Sequence, residues 1–445
     1  MRSSWAIAQR LDALLASVAE KVRPLPSLAT PDAAEQRARL SAQLERGELP
    51  VPAARPQARP TESGAFRVID AARRLAEESA LGPLYAGRLD ELELDLAILT
   101  AWGDPMRVRP LSARRYGTGE ERVKTVRGEL DLGSLARAIL QNLSRQPAEP
   151  RVLPPLAAHE GAAQAPRADR SEPGSVAQLI LWAAHGIGLD PSVRVEPRLS
   201  SLAATGERTV FLSSRMFTLH EARRLVAHEV FGHLVVAANA RAQPLRLLQI
   251  GLGGSFADQE GVSLYLEAAL GLMENERLRT LAARVLATQG LHAGASFGET
   301  ARRLYLDFGL SAEASIMTTE RAYRGGGAAR DAGYLAGFLR VRAAIASGEA
   351  SLDELRRGRV SLEYLPLLRE LAGEQYVDSL GPAREQYVDA RGPAREQYEA
   401  GEQRLVCAPR YRPSLALSRA LTFGGTSADT SPPSEAASLT MFELT

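Results

Sequence analysis

The chain carries His-Glu-Val-Phe-Gly-His from His228 to His233, inside an apolar, helix-like stretch from residue 218 to residue 240. Two imidazoles and a carboxylate are costly to bury without partners, and a metal ion is the obvious one. The usual zinc helix has His-Glu-x-x-His, whose spacing of four residues brings both imidazoles to one face. A spacing of five leaves them about 140° apart around a regular helix. We therefore predict a single-turn π-bulge around Phe231 and Gly232, which would bring the histidines together.

The spacing alone leaves a second interpretation open, a core helix with two satisfied histidines and a surface glutamate. The chain has only six histidines, so two of them flanking one glutamate by chance is uncommon. Residues 257 to 272 have helical periodicity, which puts Glu260, Leu264 and Glu267 on one face that Gly271 continues. A helix of this kind can deliver a third ligand to two histidines on another helix and leave one position open.

Glu260 is the predicted third ligand on this second helix, and Asp258 is the alternative. Glu267 is predicted to orient a ligand histidine by accepting a hydrogen bond from its other ring nitrogen. The missing side chain at Gly271 predicts that another helix approaches closely there. His159, in contrast, is predicted to be a solvated side chain in a Pro-rich segment.

Further unusual motifs follow in order along the chain: Gln259-Glu-Gly-Val-Ser263, then Arg321-Ala-Tyr-Arg-Gly-Gly-Gly327, with Asp331, Tyr334-Leu335 and Gly337 after it. Together with the His-Glu-x-x-x-His stretch, they resemble a family named after a QEGLA motif. That family includes the microtubule-associated tyrosine carboxypeptidases and bacterial proteins labelled flavohaemoglobin expression modulators. The departure is Val-Ser where the motif usually has Leu-Ala, which leaves every proposed ligand intact.

The resemblance implies that His228, His233 and Glu260 bind zinc, one ion per chain, and that Glu229 is the catalytic carboxylate. It implies an α+β, mainly helical fold of the zincin-like metallopeptidase type, with a bulged HExxxH helix and a small sheet. The implied activity is removal of a C-terminal aromatic residue, tyrosine or phenylalanine, from a peptide or protein.

An exopeptidase must also recognise a terminal carboxylate, and a guanidinium can bind one through a bidentate fork. Arg321 and Arg324, which flank Tyr323, are the predicted carboxylate-binding residues. Tyr323 and Tyr334 are candidate donors to the charge that develops on the carbonyl oxygen during amide hydrolysis. The alternative for both arginines is a structural salt bridge beside a glycine turn.

The composition is that of an ordinary globular protein, with 45% apolar and 24% charged residues among 445. A formal net charge of +1 gives no electrostatic reason to expect nucleic acid or a membrane surface as partner. The single cysteine, Cys407, excludes an intrachain disulfide framework and a Cys-based zinc cluster, and it fits a reducing compartment. The first twenty residues lack the apolar core of a signal peptide, and no stretch reaches 18 apolar residues. We therefore expect a cytoplasmic protein.

Composition divides the chain into four parts. Residues 1–64 are predicted to hold an N-terminal helix (4–23) and a Pro-rich connector (48–64), and residues 65–373 a metallopeptidase domain with a surface insertion at about 146–175. The family resemblance covers roughly 65–370. Residues 374–423 hold three copies of a short unit containing Glu-Gln-Tyr and a C-terminal segment, and residues 424–445 are predicted to be a disordered tail.

Further helices are predicted from apolar periodicity, at 66–102, 132–143, 176–187, 274–289, 298–308, 331–347 and 361–372. The first of these is predicted to stop at Gly103-Asp-Pro105. Two short strands, 193–196 and 209–212, are predicted to form a hairpin that leads into the metal helix. In zincin-like sites an edge strand can bind an extended peptide through main-chain hydrogen bonds, and this hairpin is the candidate.

Three functional interpretations remain at this point. The first is a zinc carboxypeptidase acting on a peptide or protein C-terminus, and the second is a zinc endopeptidase with the same ligands. The third is a non-enzymatic regulator that keeps the fold. An intact Glu229 argues against the third, because a pure binding site has no need of a general base there.

Overall fold

The computed structural model describes residues 2–22, 32–53, 63–143, 152–156 and 173–373, and these residues are mainly helical. The α-helices are α1 (Arg2–Val22), α2 (Ala33–Glu45), α3 (Ser63–Glu77), α4 (Gly82–Thr100), α5 (Pro105–Tyr116), α6 (Leu132–Asn142), α7 (Val176–His185), α8 (Leu219–Leu225), α9 (Val235–Ala242), α10 (Leu247–Ile250), α11 (Ser255–Ala269), α12 (Asn275–His292), α13 (Phe297–Leu306), α14 (Ala312–Tyr323), α15 (Ala332–Ala346), α16 (Leu352–Leu355) and α17 (Leu365–Gly373). A π-helix spans Val226–Leu234, and 3₁₀ segments span Arg324–Gly326 and Leu362–Tyr364. The strands are β1 (Arg122–Thr125), β2 (Gly128–Asp131), β3 (Val152–Leu153), β4 (Ser192–Val195), β5 (Ala203–Thr205), β6 (Thr209–Leu212) and β7 (Phe217–Thr218).

The block predicted as one helix from 66 to 102 is two helices, α3 and α4. Pro83 lies in the first turn of α4, where its fixed φ suits a helix start and its missing N–H is no loss. The chain turns so tightly before it that a Cβ at Gly82 would lie 2.3 Å from the carbonyl oxygen of Ala76. The Gly82-Pro83 pair is therefore the break that the apolar periodicity did not reveal.

The predicted stop at Gly103-Asp-Pro105 is confirmed, and Asp104 there accepts a hydrogen bond from the N–H of Met106 to begin α5. Helices α2, α5 and α14 and the β1–β2 hairpin were not predicted. The sequences of α2, α5 and the hairpin are polar and rich in charge, so their apolar positions form no strong periodic pattern.

The N-terminal helix packs against the rest of the molecule. Leu11 and Leu15 on α1 share one apolar core with residues of α3 and α4. Asp12 accepts hydrogen bonds from the Tyr85 hydroxyl (2.9 Å) and from the N–H of Arg246 (3.0 Å). The boundary predicted at residue 64 thus marks a change of composition, and α1 has its core in common with the elements that follow.

The three-stranded sheet beside the π-helix has the order β4-β6-β5. Strands β4 and β6 are parallel, with Val193 opposite Val210, whereas β5 and β6 are antiparallel, with Ala204 opposite Phe211. The predicted hairpin of 193–196 with 209–212 is therefore wrong. Residues 203 to 205 form a strand of their own and take the antiparallel place beside β6, so β5 is one of the two outer strands of this sheet.

The segment from α8 through the π-helix to α9 carries the His-Glu-x-x-x-His stretch. Thr218 and Glu221 close its start as a capping box, each side chain bonding the other's main-chain N–H. The widened helix predicted around Phe231 and Gly232 is confirmed, since both lie within the nine-residue π-helix. A Cβ at Gly232 would lie 2.2 Å from the Ser263 hydroxyl oxygen, so glycine lets α11 approach the π-helix here.

The close helix contact predicted at Gly271 is wrong. Gly271 has a φ of +69° and no atom within 4 Å of a Cβ built there, so it ends α11 in the left-handed conformation. The close contact lies instead between α11 and α15. A Cβ at Gly261 would lie 2.3 Å from the carbonyl oxygen of Gly337, and a Cβ at Gly337 would lie 1.8 Å from the carbonyl oxygen of Ala257.

The π-helix and α11 lie at the junction of the apolar cores. Val230 and Leu234 on the π-helix pack with Val210 and Leu212 of β6. On α11, Val262 and Leu266 belong to the core that contains α1, α3 and α4, and Leu264 belongs to the core formed with α12 and α15. Burial on several sides fixes both helices, which is what a site built between them requires.

Some predictions fall outside the described residues. These are His159 and most of the insertion, part of the Pro-rich connector, the Glu-Gln-Tyr units and the tail. In the part of the insertion that is described, β3 pairs with β7. Among the described helices, none combines the length and the apolar character needed to cross a bilayer.

Candidate metal centre

Three potential metal donors converge between the π-helix and α11. His228, His233 and Glu260 each offer one ligand atom, and these atoms lie within 4.8 Å of one another. The nearer oxygen of Glu260, Oε2, is 3.3 Å from His228 Nε2 and 3.8 Å from His233 Nε2. The imidazole centroids are 4.9 Å apart with the rings at 80°, so both Nε2 atoms face one point although the histidines are five residues apart.

The other ring nitrogen of His228 is held by Glu267. Nδ1 lies 2.7 Å from Glu267 Oε1, which as a carboxylate oxygen accepts a hydrogen bond from Nδ1–H. The Nε2 lone pair then points toward His233 and Glu260. This is the tautomer that a histidine ligand needs, and a carboxylate partner of this kind orients the ring and raises its basicity.

Glu267 is fully buried and is itself firmly held. Arg277 donates from Nε to Oε2 and from Nη2 to Oε1, both at 2.9 Å, and Arg224 Nη1 lies 3.9 Å from Oε2. Burial alone would raise the pKa of Glu267, but Arg277, His228 and Arg224 outweigh it and lower the pKa to about 2. Glu267 therefore stays ionised as an acceptor for His228.

The donor set fits a divalent cation such as zinc. Glu260 Oε2 is buried and has no hydrogen-bond partner among the described residues, so one carboxylate lone pair is left for a ligand. Burial alone would lower the pKa of His228, but Glu260 and Glu267 raise it to about 9. The pocket therefore favours positive charge, and two neutral imidazoles with one carboxylate are a usual set for catalytic zinc.

Glu229 points from the same π-helix toward the three-stranded sheet. It is 5% exposed, and its Oε2 accepts a hydrogen bond of 2.6 Å from the Thr205 hydroxyl on β5. This bond fixes one carboxylate oxygen beside the outer strand. Asp258, the alternative ligand, is engaged elsewhere, because Arg340 and the N–H of Leu362 both donate to its Oδ2 at 2.9 Å.

Arg321 is already paired. Its Nε donates to Asp331 Oδ2 and its Nη2 donates to Asp331 Oδ1 at 3.0 Å, a bidentate ion pair that is largely buried. Burial alone would lower the pKa of Arg321, but the Asp331 carboxylate raises it. The Arg321 guanidinium, predicted to bind a substrate carboxylate, is thus already paired with the Asp331 carboxylate. This is the structural salt bridge given as the alternative for Arg321.

Arg324 and Tyr323 have structural partners as well. Arg324 Nη2 donates to the Ser200 hydroxyl at 3.4 Å. The Tyr323 hydroxyl is 2.6 Å from the carbonyl oxygen of Ala295 and 2.7 Å from the Thr300 hydroxyl, at the connection between α12 and α13. These bonds join α14, which ends at Tyr323, to the connection between α12 and α13. They do not bring the Tyr323 hydroxyl to the three donors.

Tyr334 does lie beside the donors. Its ring is 6.0 Å from that of Phe256, which precedes Glu260 by one turn of α11. Burial, followed by the nearby charge of Glu260, raises the pKa of its phenol. The hydroxyl therefore stays protonated at neutral pH and can donate a hydrogen bond.

Two further arginines at this site were not predicted. The guanidinium of Arg284 lies over the Tyr334 ring at 5.1 Å, and that of Arg330 lies over the Phe256 ring at 5.5 Å. Arg284 is one of many arginines in helical stretches, and nothing in its local sequence distinguishes it. Arg330 directly precedes Asp331 and follows the glycine turn, a position that could have drawn attention to it.

One family model matches most of the chain. The family model described as microtubule-associated tyrosine carboxypeptidase matches residues 42–394. No curated protein and no solved structure gives a significant match to the chain.

Proposed function

Because the chain belongs to the microtubule-associated tyrosine carboxypeptidase family, we propose that it is a zinc metallocarboxypeptidase. It removes a C-terminal aromatic residue, tyrosine or phenylalanine, from a peptide or protein. The observation that carries the proposal is the convergence of His228, His233 and Glu260, with Glu229 between the two histidines in the chain. The zincin-like character of the fold and a cytoplasmic location are parts of the same proposal, the latter supported by the single cysteine.

His228, His233 and Glu260 would hold the zinc. A zinc ion held by three protein ligands supplies Lewis-acid chemistry, polarising a peptide carbonyl and lowering the pKa of water toward about 7. Glu229 takes the proton from the attacking water and delivers it to the leaving amine, because its carboxylate lies next to a donor histidine in the chain. The Thr205 hydroxyl fixes one oxygen of that carboxylate.

The outer edge of β5 is placed to hold an extended substrate. Gly206 N–H donates to the carbonyl of Thr209, and the carbonyl of Leu202 accepts from Ser213 N–H, so alternate residues of this segment face β6. Thr205 lies between such positions and turns its own N–H and carbonyl outward. A peptide that pairs with this edge therefore passes the Thr205–Glu229 hydrogen bond.

Tyr334 is the proposed donor to the charge that develops on the substrate carbonyl oxygen. Its phenol is close enough to Glu260 for the carboxylate to raise its pKa, so it stays protonated beside the donor set. A donor aimed at a developing oxyanion is worth about 2.7 to 4 kcal/mol in transition-state stabilisation. Tyr323, whose hydroxyl bonds a main-chain carbonyl, is not assigned this role.

The experiment that tests the function compares four variants with the wild type. His228→Ala, His233→Ala and Glu260→Ala should each lose most of the zinc found in the purified protein, about one ion per chain. Glu229→Gln should keep the zinc and lose turnover by several orders of magnitude, because an amide has the same shape but cannot accept the proton. Zinc is measured by elemental analysis, and products by mass spectrometry of peptides that end in tyrosine or phenylalanine.

Four outcomes would contradict the proposal or part of it. Full zinc in the Glu260→Ala variant would move the third ligand elsewhere, and near-normal turnover of Glu229→Gln would remove the proposed base. Cleavage at internal bonds with no preference for the peptide end would replace the carboxypeptidase by an endopeptidase with the same donors. Zinc binding without any cleavage would favour the regulatory interpretation.

A further inference from the structure

The neighbourhood of the metal centre contains more arginine charge than its carboxylates neutralise. Asp331 has both oxygens occupied by Arg321. Arg284 and Arg330 are half-buried near this pair, and neither guanidinium forms a hydrogen bond or an ion pair with any residue in the described part of the chain. Arginine that is shielded from water usually has an anionic partner, so these two guanidiniums are suited to bind an anion.

The electrostatic effects differ between the two arginines. Burial alone would lower the pKa of Arg330, but Tyr334, Tyr116 and Asp331 raise it. Burial and the like charge of Arg321 lower the pKa of Arg284 to about 10. Burial and the charges of Arg321 and Arg330 likewise lower the pKa of Arg324 to about 10. The arginines thus repel one another across a small volume, and a bound anion would relieve that repulsion.

The two guanidiniums lie over aromatic rings that are close to the metal donors. Arg330 is over the ring of Phe256, and Phe256 precedes Glu260 by four residues on α11, a rise of roughly 6 Å. Arg284 is over the ring of Tyr334, which touches Phe256 edge to face and is near enough to Glu260 for that carboxylate to raise the pKa of its phenol. Both arginines are therefore in the neighbourhood where the last residue of a substrate would lie.

We propose that Arg284 and Arg330, and not the Arg321 that the sequence suggested, bind the terminal carboxylate of the substrate. The inference rests on the proposed carboxypeptidase function and deepens it by naming the groups that make the enzyme specific for chain ends. The ligand is the carboxylate of a peptide C-terminus. The planar forks of both arginines suit a carboxylate, which accepts two parallel hydrogen bonds from one guanidinium.

A small cavity lies next to Arg330. It is lined by Arg330 and Arg324 together with Trp102, Tyr116 and Ala328, and it has room for about one water molecule. The guanidinium of Arg330 can therefore be reached from a polar space.

The test measures binding separately from turnover. Zinc-loaded Glu229→Gln protein is the parent, and the probe is one fluorescently labelled peptide ending in tyrosine, prepared as the free acid and as the C-terminal amide. Arg284→Gln and Arg330→Gln are each introduced into the parent. The matched control is Arg302→Gln, which removes the same charge from an exposed position on α13.

The parent should bind the free acid more tightly than the amide. Each of Arg284→Gln and Arg330→Gln should weaken binding of the free acid by about 10- to 100-fold, the usual loss for a hydrogen bond to a charged group, and should leave the amide nearly unchanged. The control should keep the acid–amide difference. If a glutamine variant fails to fold by thermal melting, the lysine variant at that position keeps the charge and loses the fork, and a smaller loss of discrimination is expected from it.

Two results would overturn the inference. An acid–amide difference that survives in both variants and disappears in Arg324→Gln would place the carboxylate on Arg324 and leave the carboxypeptidase function standing. Equal binding of acid and amide by the parent would remove the carboxylate site altogether. Whether the proposed function also fails is then decided separately, by whether wild-type enzyme releases one terminal residue or cuts inside the peptide.

Discussion

Replacing Gly337 with alanine perturbs the helix contact that sets the position of Glu260. A Cβ at Gly337 would stand 1.8 Å from the carbonyl oxygen of Ala257 on α11, and a Cβ at Gly261 would stand 2.3 Å from the carbonyl oxygen of Gly337. Both obstacles are main-chain atoms, which no side-chain rotation can relieve. Gly337→Ala must therefore push α15 and α11 apart.

The size of the effect follows from two opposing contributions. Overfilling a closed core costs about 1 to 3 kcal/mol, and alanine's better helix propensity returns at most about 1 kcal/mol, so we expect the free energy of unfolding to fall by about 1 to 2 kcal/mol. Glu260 lies on the displaced helix, whereas His228 and His233 lie on the π-helix. Zinc affinity should therefore fall by about tenfold or more, the usual loss when the groups that orient ligands are disturbed.

Gly333→Ala is the matched control, because Gly333 lies one turn earlier on the same helix and faces the same residue of α11. A Cβ at Gly333 would be 3.6 Å from the Ala257 Cβ, an ordinary contact, so stability should stay the same or rise by up to about 1 kcal/mol. Urea unfolding followed by circular dichroism gives the free energies, and competition with a fluorescent chelator gives the zinc affinities. Equal unfolding midpoints and equal zinc affinities for Gly337→Ala and Gly333→Ala would refute the reasoning.

Replacing Glu267 with glutamine should lower zinc affinity by about 10- to 100-fold, because the buried acceptor that orients His228 is weakened. Chelator competition checks this, with the exposed Glu276→Gln as control, and an unchanged affinity would mean that Glu267 serves only its arginine partners. Burial raises the pKa of Asp12 from 3.8 to about 6. Between pH 3.8 and about 6 the folded state therefore binds more protons than the unfolded state. The contribution of Asp12 to the free energy of unfolding should fall by about 3 kcal/mol as the pH rises through this range. Urea unfolding at pH 4 to 8 measures how the free energy of unfolding depends on pH. Asp12→Asn should remove the fall in this free energy, whereas the exposed Asp70→Asn should keep it. The same pH dependence in the wild type and in Asp12→Asn would contradict the assignment.

The donor set was accessible from sequence because its chemistry is rare in an apolar pattern. His228 and His233 stand in a stretch that must be buried, and a spacing of five residues converges on one ion only if the helix widens. The π-helix over Val226–Leu234 confirms that geometric argument. Periodicity also put Glu260 and Glu267 on the same side of α11, where the structure has one facing the histidine Nε2 atoms and the other facing Nδ1 of His228.

The sequence did not reveal contacts that depend on which element of the fold packs against a residue. Periodicity identifies a helix face but not what packs on it, so Gly271 was assigned a close contact that belongs to Gly261 and Gly337. Strand direction has the same difficulty, since a short strand at residues 203 to 205 was enough to make β4 and β6 parallel. The arginines are a third case, because only the fold shows that the Arg321 guanidinium is paired with the Asp331 carboxylate.

The geometry of the donors is set by packing of the polypeptide. Val230 and Leu234 fix one side of the π-helix against the sheet, and Gly232 admits the Ser263 side chain of α11 on the other. A π-helix is a rare conformation, and it persists where its surroundings determine it. The histidines are therefore brought together by burial of their neighbours, which differs from small zinc domains whose fold depends on the metal. A site preorganised in this way can leave one metal position open for a substrate, because no ligand has to be recruited to keep the helix in shape.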